Sequence, residues 1–127
     1  MDREHKYRLV AFVSCEAHVV DQSRKISLIN IFQKISFHVL PAFNSFWCYL
    51  SIISLDNDEN QINITFKESP SSLEKDIFVH RFNKSLNLTH HYIQRVETNF
   101  KNYGDCFLYG YLDSELIGEI KLEVIHF

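Results

Sequence analysis

The chain has 127 residues, of which 46% are hydrophobic and 23% charged, and its formal net charge is −3. This length suits a single domain and excludes two independent cores, while the interspersed charge leaves no basic stripe for a phosphate backbone, so nucleic acid is not an expected partner. Three glycines and two prolines exclude a long flexible or polyproline segment, and no apolar run reaches the length of a membrane-crossing helix.

Eleven Phe, six Tyr and one Trp favour sheet over helix, because wide side chains fit a pleated, half-buried surface. The polar stretch Met1–Arg8 lacks the apolar segment of a signal peptide, which makes a cytoplasmic location the expectation. Tyr7–Cys15 reads as a first strand, with Leu9, Ala11, Val13 and Cys15 on one face and Val10 and Phe12 on the other. An irregularity at Glu16–Ala17, of β-bulge type, precedes a continuation through His18–Val20. Asp21 to Lys25 forms a polar turn. Ile26 to Leu40 is long for one strand and reads as two segments bent near Asn30–Lys34, crossing from one sheet to another. Pro41 ends it, since proline lacks the donor a central ladder position requires.

Phe46–Leu55 is the most apolar stretch and the expected central strand. Phe46, Cys48, Leu50 and Ile52 define one face, and Trp47, Tyr49 and Ile53 the other. After the acidic turn Asp56–Asn60, Ile62, Ile64 and Phe66 alternate with polar residues, a half-exposed strand pattern. A loop around Pro70 leads to a strand at Ile77–Phe82. Over Leu86–Val96 the period is ambiguous: Leu88, Tyr92, Ile93 and Val96 fit the face of a short helix, with Thr89 as its cap. In the last third, Cys106, Leu108 and Leu112 face opposite to Phe107, Tyr109 and Tyr111. Asp113-Ser114-Glu115 turns the chain into a closing strand with Ile120, Leu122 and Val124, and Gly104 and Gly118 mark tight backbone positions.

The expected fold is all-β: a single domain over 1–127, built as a two-layer antiparallel β-sandwich, immunoglobulin-like or C2-like, with about eight strands and at most one short helix. A sheet with an apolar face must bury that face against another layer.

Three quoted segments carry a resemblance. Cys15-Glu16-Ala17, the polar Asp21–Arg24, and Lys25-Ile26-Ser27-Leu28-Ile29-Asn30-Ile31-Phe32 with the later Pro41 resemble a family of small bacterial and phage-associated β proteins of uncharacterised function. The segment from Gly104 through Tyr109-Gly110-Tyr111-Leu112-Asp113 to Val124 is similar to that family's closing hairpin. Two positions depart from the pattern: Ser23-Arg24 stands where the family often has Gly before the Lys, and Asn30 where it commonly has Gly. Asn is the non-Gly residue that best tolerates positive φ, so the backbone is expected to survive the change. The resemblance implies a small β domain and supplies no active-site residues.

No residue set spells out a reaction. Cys15, Cys48 and Cys106 are far apart in apolar stretches and read as buried thiols. No CxxC pair or nucleophile elbow is present. Asp56, Asp58 and Glu59 are the densest oxygen ligands and the candidate calcium loop, joined by Asp113 and Glu115 if the two turns share one end. His90–His91 is the one adjacent histidine pair, and neighbours on a strand point apart. Asn63, Asn83 and Asn87 begin Asn-x-Ser/Thr triplets that matter only in a secretory pathway. Trp47, Tyr49, Tyr109 and Tyr111 are the candidate interface, aromatic faces fit for a packed layer or for contact with a partner. The expectation is therefore a non-enzymatic protein-interaction or structural module without a cofactor or membrane association, binding a protein partner or a second copy. A calcium- or carbohydrate-binding module and a small hydrolase are the alternatives.

Overall fold

A computed structural model describes residues 7–54, 60–82 and 89–127. Those residues form nine strands and no helix: β1 (Tyr7–Val20), β2 (Ile26–Ile31), β3 (Lys34–Phe37), β4 (Ala42–Ser54), β5 (Asn60–Lys67), β6 (Lys75–Phe82), β7 (Thr89–Phe100), β8 (Gly104–Leu112) and β9 (Glu115–His126). One sheet is ordered β2-β1-β4-β7 and the other β3-β9-β8-β5-β6. The ninth strand beyond the expected eight is β7, where the sequence allowed a helix. Tyr92, Val96, Thr98 and Phe100 are its buried positions, a period of two, and β4 pairs with it from Ala42–Phe100 to Ile53–Thr89 without a register shift. An unbroken antiparallel ladder along β4 overrides the weak helical spacing of Tyr92, Ile93 and Val96.

The long segment after Lys25 does cross between sheets, β2 lying in the first and β3 in the second. The link is Phe32–Gln33. The Phe32 amide donates to the Ser14 carbonyl (3.1 Å), the Ser14 hydroxyl donates to the Phe32 carbonyl (2.7 Å), and the Glu123 amide donates to the Gln33 carbonyl (2.9 Å). So short a link carries the chain forward without reversing it, and β3 meets β9 in parallel. The all-antiparallel expectation is corrected at this one pair; the other strand pairs are antiparallel.

β1 corrects the expected faces. Its pairing with β4 shifts register between Leu9 and Ala11, so that Leu9 opposes Ile52 and Phe12 opposes Leu50. Leu9 and Phe12 therefore share the core side, with Val10 as the extra residue, while Ala11 and Val13 oppose Ser51 and Tyr49 on the outer side. A one-residue insertion exchanges faces because side chains alternate with period two. At Glu16–Ala17, where the irregularity was expected, the β1–β2 register is constant. The local adjustment falls instead on Asn30, at φ 56°, whose side-chain amide donates to Glu16 (2.7 Å).

One core draws on both sheets: Phe46, Cys48, Leu50 and Ile52 from β4 meet Ile62, Ile64, Leu108 and Leu122 from β5, β8 and β9. Phe12 extends it over the cross-strand pair Gly110–Gly118. A Cβ on Gly118 would lie 3.0 Å from the Phe12 ring and 3.4 Å from Leu9, so the glycine makes room for β1 against β9. The β8–β9 turn follows the type I′ pattern, with Asp113 and Ser114 at φ 49° and 69°. It is fastened to β5: the Asp113 amide donates to the Gln61 carbonyl, and the Gln61 amide donates to the Asp113 carboxylate, each at 2.8 Å. No helix among the described residues is long and apolar enough to cross a membrane.

Candidate interaction surfaces

The four candidate aromatics separate into two pairs. Trp47 and Tyr49 lie on the outer face of β4, while Tyr109 and Tyr111 lie on the outer face of β8, in the other sheet. All four are half-buried, because each stands at the centre of a sheet and is flanked by neighbours on both sides.

On the first sheet, cross-strand partners share a face, so the register defines rows. Ile31, Cys15, Trp47 and Arg95 form one row across β2, β1, β4 and β7, and Val13, Tyr49 and Ile93 form the next. The His18 ring stands edge-on to Trp47 at 4.5 Å between centroids, and the Tyr49 hydroxyl is hydrogen-bonded to His91 Nδ1. At the β2 margin the first row ends on an aliphatic side chain, Ile31, which is 58% exposed. Arg95 and Glu97 stand to one side on β7, and Arg8 lies at the far end of the face opposite Ile53. The contributions of Val13, Ile31 and Ile93 were not singled out from sequence; alternation in β7 was the available signal for Ile93, and polar Gln94 and Thr98 at inward positions obscured it.

On the second sheet Phe107, Tyr109 and Tyr111 form a ladder along β8. Phe107 and Tyr109 are stacked at 5.9 Å between centroids and 11° between planes, and Tyr109 and Tyr111 are tilted by 45°. The Tyr111 hydroxyl donates to the Glu74 carboxylate (2.8 Å), which also accepts from Thr65 (3.1 Å). Burial, followed by the Glu74 hydrogen bond and charge, pushes the Tyr111 phenol up to about 12. The planes of Phe107 and Tyr109 are nearly parallel, while Tyr111 is tilted out of that alignment.

The remaining candidates disperse. Asp56, Asp58 and Glu59 lie outside the described residues, as do Asn83 and Asn87. Among the described residues no group of three His, Cys, Asp or Glu side chains is placed to hold a metal ion. His91 faces outward to Tyr49 while His90 stacks with Tyr92, so the adjacent histidines do point apart. Cys15, Cys48 and Cys106 are buried and unpaired as disulfides; burial raises all three thiols, Cys106 up to about 12, which keeps them protonated and poorly nucleophilic. Two clefts of about 340 and 350 Å3 flank the Phe32–Gln33 link, and a third of about 280 Å3 lies at Asn60, Arg81 and Asp113. None of these three is lined by a cysteine or a histidine.

No protein-family model matches the chain, and no curated protein matches it. Solved structures do share its fold. The alkylpurine DNA glycosylase AlkC of Pseudomonas fluorescens, bound to DNA containing an abasic site analog, superposes with a TM-score of 0.58 at 8% identity, covering 94% of this chain and 30% of the glycosylase. A β-glucosidase from Listeria innocua in complex with isofagomine gives 0.56 at 7% identity, covering 94% of this chain and 16% of that enzyme. The chain thus spans less than a third of either protein. At such identities the likeness is one of fold.

Proposed function

We propose that the chain is an immunoglobulin-like β-sandwich domain that works as a non-enzymatic protein-contact module, with the outer face of the β2-β1-β4-β7 sheet as its contact surface. The observation that carries this reading is the pair of rows through Trp47 and Tyr49. They join aromatic and aliphatic side chains across four strands and leave Arg95 and Glu97 at the side. Interface centres are enriched in aromatics and depleted of charge, with polar groups at the rim. Ile31 extends the apolar surface to the sheet margin, and exposed apolar area of this kind marks contact sites.

The test compares the purified chain with the tagged chain in an extract of the cell that produces it. In the extract the chain is expected in a species heavier than the purified protein forms by itself. Ile31→Arg with Ile93→Arg is expected to abolish that species while leaving thermal stability close to wild type. A wild-type chain that runs in the extract at the same mass as the purified protein overturns the reading.

A further inference from the structure

Among the described residues the outermost strands are β2 and β7 in the first sheet and β3 and β6 in the second. An open edge offers its amides and carbonyls to another strand, and proteins commonly blunt such edges by shortness, kinks, bulges or charge. Three of the four are blunted. β2 has six residues, with Asn30 at φ 56° inside it, and β3 has four. β6 carries Lys75, Asp76 and Arg81, and its pairing with β5 shifts register at Ile64/Thr65. β7 carries Arg95 and Glu97 but is neither short nor bulged, and its stretch Ile93–Phe100 follows β4 without a register shift.

We propose that β7 is a self-association edge, where two copies pair antiparallel about a twofold axis at Val96 and merge their first sheets into one. The partner is a second copy because the strand is complementary to itself. Arg95 and Glu97 stand two positions apart on the outer face, at 54% and 55% exposure. A twofold at Val96 sets Arg95 of each copy opposite Glu97 of the other and Ile93 opposite Asn99, keeping outer face against outer face. Centring on Arg95 or on Glu97 instead sets like charges directly opposite, which destabilises a strand pair. Within one copy Arg95 Nε is 3.9 Å from Glu97 Oε1, a loose contact between exposed groups that pairing replaces with two cross-strand contacts. The arrangement also brings the Trp47–Tyr49 surfaces of the two copies side by side, at either flank of the new strand pair.

This inference rests on the reading of the chain as a contact module, but it names a different surface and a specific partner. The test is the mass of the purified chain by light scattering across a concentration series. The expected result is twice the 15.1 kDa chain mass at high concentration, falling on dilution. Arg95→Glu is expected to weaken the dimer by roughly tenfold or more, and Arg95→Glu with Glu97→Arg to restore it, since the double variant again sets a positive side chain against a negative one across the twofold. Thermal melts of each variant confirm that it folds. A mass of one chain throughout overturns the pairing, as does an unaffected Arg95→Glu dimer or a double variant no tighter than the single one. A monomeric purified chain that is still found in a heavier species in extract overturns β7 pairing alone and leaves the contact surface standing.

Discussion

Arg24 and Asn30 both have positive φ, 65° and 56°. The left-handed backbone that glycine adopts freely is held here by residues with a Cβ. Around Arg24 the conformation is held by Asp21. Its carboxylate accepts from the Ser23 amide (2.8 Å), the Lys25 amide (2.9 Å) and the Ser23 hydroxyl (3.1 Å), while the Arg24 amide donates to the Asp21 carbonyl (3.0 Å). The Lys25 hydrogen bond leads in holding the Asp21 carboxyl below the usual carboxylate range, and the Ser23 bonds add to it. A depressed folded-state pKa contributes stability that is present above the unfolded pKa and is lost as pH falls through the folded one. Asp21→Ala is thus expected to lower the melting temperature at neutral pH, with the difference from wild type shrinking as the pH falls below the carboxylate range. A difference that stays constant with pH contradicts the charge-assisted turn.

At the scale of elements, the legible strands were those whose apolar residues strictly alternate. Phe46–Ile52 and Cys106–Leu112 show their faces directly, and the two-segment reading after Lys25 anticipated β2 and β3. β7 was ambiguous because Gln94 and Thr98 occupy inward positions, leaving Tyr92, Ile93 and Val96 at a spacing that also suits a helix. β1 was misread for another reason: Val10 is as apolar as its neighbours, so nothing in the sequence marks it as the extra residue. The fit of β1 against β9 depends on Gly118, whose Cβ-sized space is taken by Phe12 and Leu9. Gly118→Ala is expected to cost about 1–3 kcal/mol by overpacking, measured by denaturant unfolding. An unchanged midpoint would mean that the Phe12 ring moves aside freely.

For the whole molecule, strand order was not legible, because it depends on which edges meet in space rather than on any local pattern. The four candidate aromatics illustrate this. That they face away from Cys48 and Leu108 was readable, but their half-burial and their separation onto opposite sheets followed only from topology. The two sheets now carry different surfaces: a self-stacked ladder tied to Glu74 on one, and on the other apolar rows reaching an exposed aliphatic margin. The central claim is that the second of these is the contact surface. Its most direct measurement places a photo-cross-linking side chain at Tyr49 and, separately, at Tyr109, in the producing cell. The expected result is a discrete protein adduct from position 49 and a much weaker one from position 109. An adduct from position 109 alone, or from neither, contradicts the assignment.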